Sequence, residues 1–473
     1  MKVRALALLL AAIVLAGINT TNAQNAQQRN ETAMQALTAQ INSRNADAVY
    51  DMLGADFQAR FSRQKFTGVL RDNIFPLGGV KSSALVKMNG GVSLYKVIHE
   101  RETLSYFIGV NDSDKIYTLS FKPYKEKAAR KTYTDASSNA LKTTLDVNVD
   151  SIARGYIGQV NTVGLAIGLI KGAIVHYYGY GETTKGNKTI PSATTVFEIG
   201  SITKTFTATL LAHYVTKGKV SLADPITKYL PDSVTSNKAL AGITLQMLSN
   251  HTSGLVSVPY NMHLSPSYNN EDPYAAYTKK DMHAFLTNCS LQSAPGEKYA
   301  YSNLAVGLLG VILEQVSGLS YEAMVKKVIT TPLKMTMTSE HLSKGQQKVL
   351  VSVYKENGTQ TVPWTLQSIA AAGCLRSTVD DLLLYAKANL APGNTPLGEA
   401  MKLTHKITFE PQQVALGWHT HDSASYLWHN GGTGGSRSFL AFNKANGTAV
   451  VVLANSAISA DEVGLKIMEL LGK

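Results

Sequence analysis

The sequence predicts an α+β protein in two parts. A small domain of helices and a strand meander precedes a large domain whose antiparallel sheet draws strands from both of its ends. Three observations carry this expectation. At 473 residues the chain exceeds the size at which one core usually keeps growing. Between residues 26 and 123 the apolar spacing changes from helical to strand-like. From about residue 145, apolar strand pairs stand at the beginning and end of a mainly helical stretch.

Taken in order, the first 23 residues read as a secretory signal. Lys2 and Arg4 make a positive start, Ala5 to Ala16 are almost all apolar, and Thr21-Asn22-Ala23 offers small residues before a cut at Gln24. This predicts an exported protein, periplasmic or secreted, with no stable membrane span after signal cleavage. A retained N-terminal anchor is the alternative, although the apolar run is short for a span. No Cys follows it, which argues against a lipid anchor.

Residues 24–125 are expected to form the small α+β domain. Ala33-Met34, Leu37, Ile41, Val49, Met52-Leu53, Phe57 and Phe61 recur at helical spacing, and four strand-like pieces follow between Ser83 and Pro123. Asn89-Gly90-Gly91 and Asn111 to Asp114 separate them as turns. The outline resembles the cone-shaped, nuclear-transport-factor-like domains found before some exported hydrolases. Residues 126–144, polar and rich in Lys, Thr, Ser and Ala, suit a linker.

The large domain, 145–473, opens with helical patterning from Leu145 to Gln159. A strand pair follows, Val163 to Ile170 and Ala173 to Gly181, turning at Lys171-Gly172. At the other end Ser436 to Phe442 and Thr448 to Asn455 turn around Asn446-Gly447, and a closing helix covers Ala460 to Leu471.

Composition narrows the function. Hydrophobic content of 44% with 16% charged residues excludes disorder and a multi-pass membrane protein. The net charge of +12 is spread without a long basic run, so it favours anionic surfaces or cell-wall polymers. No reading motif accompanies it, and no nucleic-acid partner is expected. Cys289 and Cys374 are the two cysteines; export permits a disulfide, but two buried free thiols are the reading preferred.

Three groups of residues offer chemistry. Ser201-Ile202-Thr203-Lys204 puts a hydroxyl and an amine on one face at the start of an apolar helix. The amine can activate the hydroxyl, and the helix N-terminus favours developing negative charge. Alone this is weak, because Ser-x-x-Lys also begins at Ser62, Ser93 and Ser352. Tyr301-Ser302-Asn303 offers a proton carrier and an orienting amide; taken alone, it reads rather as a packed aromatic beside a helix-capping Asn. His429-Asn430-Gly431-Gly432-Thr433-Gly434-Gly435 has glycines where a strand must admit a ligand or another backbone, or else form a flexible turn.

Ser201-x-x-Lys204, Tyr301-x-Asn303 and His429-x-Gly431 together, spaced by 100 and then 128 residues, resemble the penicillin-recognising serine hydrolases. These include class C beta-lactamases, DD-peptidases and related esterases. The likeness continues through Ile243 to Leu255, Pro295 to Gly310, Ala372 to Asp381 and Leu416-Gly417-Trp418. It therefore covers essentially all of 145–473.

The resemblance implies a beta-lactamase/transpeptidase-like α+β fold, an antiparallel sheet flanked by helices beside an all-helical part. It implies Ser201 as nucleophile, with Lys204 and Tyr301 sharing proton transfer and Lys204 lowering the phenol pKa. Asn303 would position Lys204 and the substrate amide. His429 and Gly431 would line the substrate, and the N–H groups of Ser201 and Gly432 would hold the oxyanion. No metal or organic cofactor is implied. The substrate would be a small molecule or peptide: a cell-wall peptide, an ester or a beta-lactam.

This chain departs from class C beta-lactamases in having His429 where they usually carry Lys, which favours peptidase or esterase activity over beta-lactamase. Arg437 is the candidate replacement for the missing charge. A catalytically silent penicillin- or peptide-binding module is the reading of another class, opposed by the intact Ser201, Lys204, Tyr301 and Asn303. Gly181 to Thr189 resembles a phosphate loop broken at Asn187, and His419-Thr420-His421 lacks a third metal ligand. His251 reads as structural, and no Gly-x-Ser-x-Gly elbow is present.

Overall fold

The computed structural model describes residues 20–89, 91–124, 136–421 and 424–472. Residues 1–19 of the expected signal, residue 125 of the expected small domain and 126–135 of the expected linker lie outside the described residues. The chain divides into two compact units, Met1–Ala128 and Ala129–Lys473.

The first unit begins with helix α1 (Thr20–Asn42), and short helices follow at Ala46–Asp51, Ala55–Arg60 and Arg63–Val69. Four antiparallel strands complete it in the order β1 (Val80–Asn89), β2 (Val92–His99), β3 (Thr103–Val110) and β4 (Ile116–Pro123). Alternation on β2 and β3 sends Tyr95, Val97, Leu104, Tyr106 and Ile108 to one face. There they meet Met34, Leu37 and Ile41 of α1 in a closed apolar cluster. Each such side chain contributes roughly 1.5–3 kcal/mol by leaving water. Buried Asn30 fixes the helix to the sheet, donating to Gly91 O (2.9 Å) and Ser93 Oγ (3.0 Å) and accepting from Val110 N (2.9 Å).

The second unit opens with α2 (Thr144–Ile157), capped reciprocally by Thr143 and Asp146. Next come strands β5 (Gly164–Lys171) and β6 (Ile174–Gly181) and helices α3 (Thr203–Thr216), α4 (Asn303–Ser317) and α5 (Val379–Leu390). Strands β7 (Ile407–Phe409), β8 (Val414–Ala415), β9 (His419–His421), β10 (Ala424–Gly432), β11 (Arg437–Asn443) and β12 (Thr448–Ala454) precede helix α6 (Asp461–Gly472). The sheet order is β7-β8-β9-β10-β11-β12-β5-β6, antiparallel throughout. The last strand thus pairs with the first of the domain, as the sequence predicts.

Both faces of this sheet are covered, so its central strands read as unbroken apolar runs. One face, with Phe439 and Ala441, packs on α2 and α6; the other, with Leu440 and Phe442, faces α3, α5 and the helical middle. Residues 429–435 read from sequence as the entry to the last hairpin. The first four of them end strand β10 instead, and the turn lies at 433–436. Cys289 and Cys374 are buried and free. Among the described residues no single helix is long and apolar enough to cross a membrane.

Candidate active site

Helix α3 is buried over its first ten residues, Thr203 to Ala212, so it is a core helix rather than an amphipathic one. Its threonines are satisfied inside the core: Thr207 Oγ1 donates to Ala371 O (2.7 Å), and Thr209 Oγ1 lies 3.1 Å from Tyr385 Oη. Ser201 precedes it in a single tight turn, Gly200–Ile202, and remains partly open to solvent.

Two glycines let β10 approach that turn. Gly200 has φ +48°, and a Cβ there would lie 2.7 Å from Gly432 N. A Cβ on Gly431 would lie 2.1 Å from Ile199 O and 2.9 Å from Ser201 N. Gly431 and Gly432 are therefore strand residues pressed against the Ser201 turn, not a flexible loop. Glu198, three residues before Ser201, ties the same elements together. Its buried carboxylate accepts from Trp364 N (2.7 Å) and Thr433 Oγ1 (2.8 Å), and burial raises its pKa.

Lys204 is fully buried, and its Nζ lies 2.9 Å from Ser201 Oγ, 2.8 Å from Asn303 Oδ1 and 2.7 Å from Ala372 O. Burial drives its pKa well below the ordinary lysine value. A neutral amine has two hydrogens and one lone pair. Two of the three partners are carbonyl oxygens that only accept, which leaves the lone pair for the Ser201 hydroxyl. Asn303 is the first residue of α4, whose N-cap is Ser302, bonded to Ala305 N at 2.9 Å. The cap expected at Asn303 thus sits one residue earlier, and the Asn303 amide is free to meet Lys204.

Tyr301 lies under Lys204, with Nζ 4.8 Å from the ring centroid. Its phenol pKa is raised by burial, which a hydrogen bond to Ser201 only partly offsets. This corrects the expectation that Lys204 lowers it. Desolvation is the largest influence on the phenol, and it outweighs any pull from the amine. Both shifts favour the uncharged forms, an amine able to accept a proton and a phenol able to give one.

Three histidines adjoin this pair. His251, held at φ +63°, lies against Tyr301 with ring centroids 4.4 Å apart and planes tilted by 34°, and accepts from Ser302 N at 3.2 Å through Nδ1. His429 lies 6.3 Å from Tyr301 and 4.9 Å from His419, ring to ring. Burial lowers all three pKa values, that of His419 to about 4. From sequence, His251 reads as structural and His419 has no place in the site. Their proximity depends on the turn at 250–254 and the pairing of β9 with β10.

Arg437 does not supply the missing charge. It pairs with Gly432 across the sheet and shares the face of Phe439 and Ala441, towards α2 and α6. There its Nη1 donates to Thr433 O and Ser436 O, both at 2.8 Å. The other Ser-x-x-Lys serines are occupied elsewhere: Ser62 caps a helix, Ser93 accepts from Asn30, and Ser352 pairs with Thr184 at 2.9 Å. At the phosphate-loop lookalike the N–H groups of Gly186 and Lys188 are taken by the Glu182 carboxylate.

A family model described as beta-lactamase matches residues 149–470. A protein named beta-lactamase from Pseudomonas fluorescens is 27% identical over 65% of this chain and 92% of its own length. A second of that name from Escherichia coli (strain K12) is 26% identical over 63% of this chain and 85% of its own. Protein flp from Staphylococcus aureus (strain MRSA252) is 27% identical over 65% of this chain and 62% of its own. The crystal structure of a beta-lactamase/D-alanine carboxypeptidase from Pseudomonas syringae superposes with a TM-score of 0.61. It is 23% identical, over 69% of this chain and 99% of that one, and shows the same fold.

Proposed function

The chain belongs to the beta-lactamase family and is a serine hydrolase, and on that premise we propose that Ser201 is its nucleophile and that it cleaves esters or amides through an acyl-enzyme. The observation that carries this reading is the buried Lys204 with its Nζ 2.9 Å from Ser201 Oγ, its pKa driven well below the ordinary lysine value by burial. Lys204 takes the hydroxyl proton as Oγ attacks the carbonyl carbon. The N–H groups of Ser201 and Gly432, brought together by Gly200 and Gly431, receive the oxyanion. Tyr301, protonated at rest, gives its proton to the leaving group. Water then releases the acyl group by the same steps in reverse.

Neutral His429 favours a DD-peptidase- or esterase-like activity on an exported protein, with the signal read in residues 1–23 as the support for export. True beta-lactamase activity is the second reading, favoured by the names of the curated relatives. The test is incubation of the mature protein with a fluorescent penicillin and with a short-chain p-nitrophenyl ester, beside Ser201→Ala. Labelling or hydrolysis that disappears in a folded Ser201→Ala supports the assignment, and fast loss of label favours beta-lactamase. Full activity in Ser201→Ala removes Ser201 from the mechanism.

A further inference from the structure

His251 grips the chain on both sides of Tyr301. Its backbone carbonyl accepts from Ala300 N at 2.8 Å, and its Nδ1 accepts from Ser302 N at 3.2 Å. Between these two bonds its ring lies against the Tyr301 ring, centroids 4.4 Å apart. Burial drives the His251 pKa well below the ordinary histidine value, which keeps Nδ1 available as an acceptor. The ring proton then sits on Nε2, a buried atom with no hydrogen-bond partner among the described residues.

A histidine at φ +63° occupies a backbone region that side chains disfavour, so its surroundings must hold it there. Asn250, Thr252 and Ser253 beside it are all buried. Thr252 Oγ1 donates to Asn250 Oδ1 (2.7 Å), Asn250 Nδ2 donates to Thr408 Oγ1 (3.1 Å), and Thr252 O accepts from Gly296 N (2.7 Å). The result of this over-determined turn is an acceptor placed at the N–H of buried Ser302, the residue that follows Tyr301. A side chain that only filled space would leave that N–H without a partner.

Resting on the assignment of Ser201 and Tyr301 above, we propose that His251 is a positioning residue for Tyr301, fixing the phenol where it can hand its proton to the leaving group. An error of about 1 Å in the placement of such a group can cost on the order of 10²-fold in rate. The cost is greatest for a poor leaving group, because a strongly basic oxyanion departs only with a proton whereas p-nitrophenolate departs without one.

The experiment compares hydrolysis of phenyl acetate and p-nitrophenyl acetate by wild type, His251→Leu, His251→Asn, Tyr301→Phe and the double variant His251→Leu/Tyr301→Phe. Asn carries an acceptor oxygen close to where His carries Nδ1, and it tolerates the left-handed backbone. With phenyl acetate, kcat/KM should fall by about tenfold or more in His251→Leu and by less than about threefold in His251→Asn. The His251→Leu loss should be smaller with p-nitrophenyl acetate. Added to Tyr301→Phe, His251→Leu should cost nothing further, as expected of two residues that act as a unit.

Losses that multiply in the double variant, equal losses on the two esters, or wild-type rates in a folded His251→Leu overturn the proposal. If His251→Leu does not fold, His251→Asn decides: a loss as large as that of Tyr301→Phe, in folded protein, overturns it too. Tyr301→Phe at the wild-type rate on phenyl acetate sinks the leaving-group assignment itself, and the proposal with it.

Discussion

At the scale of single residues, burial acts on the two groups in opposite directions. It drives the Lys204 pKa well below the ordinary lysine value and raises that of the Tyr301 phenol. The direction of the pH profile follows. The active form has lost the Lys204 proton, so kcat/KM should rise with pH through the lowered lysine value and level off well before pH 10.5. Tyr301→Phe should keep that rising limb but lower the plateau by roughly 10²–10⁴-fold. A steady-state profile that is unchanged in height would move leaving-group protonation to Lys204. The side chains themselves were legible in the sequence, because Ser201 and Lys204 are one helical turn apart and Tyr301 and Asn303 follow in a familiar order. Their charge states were not, since burial depends on the helices packed around them. Ala372, whose carbonyl takes one Lys204 hydrogen, left no signal, because a backbone acceptor carries no residue preference.

At the scale of elements, the site is the meeting of the Ser201 turn with the end of β10. The glycine run signalled a close approach, but not that β10 continues through Gly432. Nor did it reveal that Arg437 faces α2 and α6. Alternation fixes that Arg437 and Ser438 point opposite ways, whereas the covering helices decide which side holds the site. Ser438 Oγ donates to Ile199 O at 2.8 Å, which marks the site-facing side. Gly431→Ala tests the close approach. Its Cβ would fall 2.1 Å from Ile199 O, so the turn or the strand must move. The expected cost is about 1–3 kcal/mol of stability, with a large drop in kcat. Thermal unfolding and kinetics together check this, and wild-type values for both would refute it.

At the scale of the whole molecule, the two units have separate apolar cores. One is built from residues between 33 and 121, the others from residues beyond 148. The groups proposed to be catalytic, Ser201, Lys204 and Tyr301, all lie in the second unit. Deleting residues 24–130 should therefore leave hydrolysis of small esters largely intact, and loss of activity in a folded truncation would give the first unit a part in shaping the site. The change from helical to strand spacing, and strands at both ends of the large domain, were readable because both are local patterns. The order of the short strands β7 to β9 was not, because segments of two or three residues carry little periodicity. The central claim is an acyl-enzyme at Ser201. The most direct measurement is the mass of the intact mature protein after brief exposure to a slowly released penicillin, followed by peptide mapping. One added acyl mass is expected, located on the peptide holding Ser201 and absent from Ser201→Ala. An adduct on another residue, or the same adduct in Ser201→Ala, would contradict it.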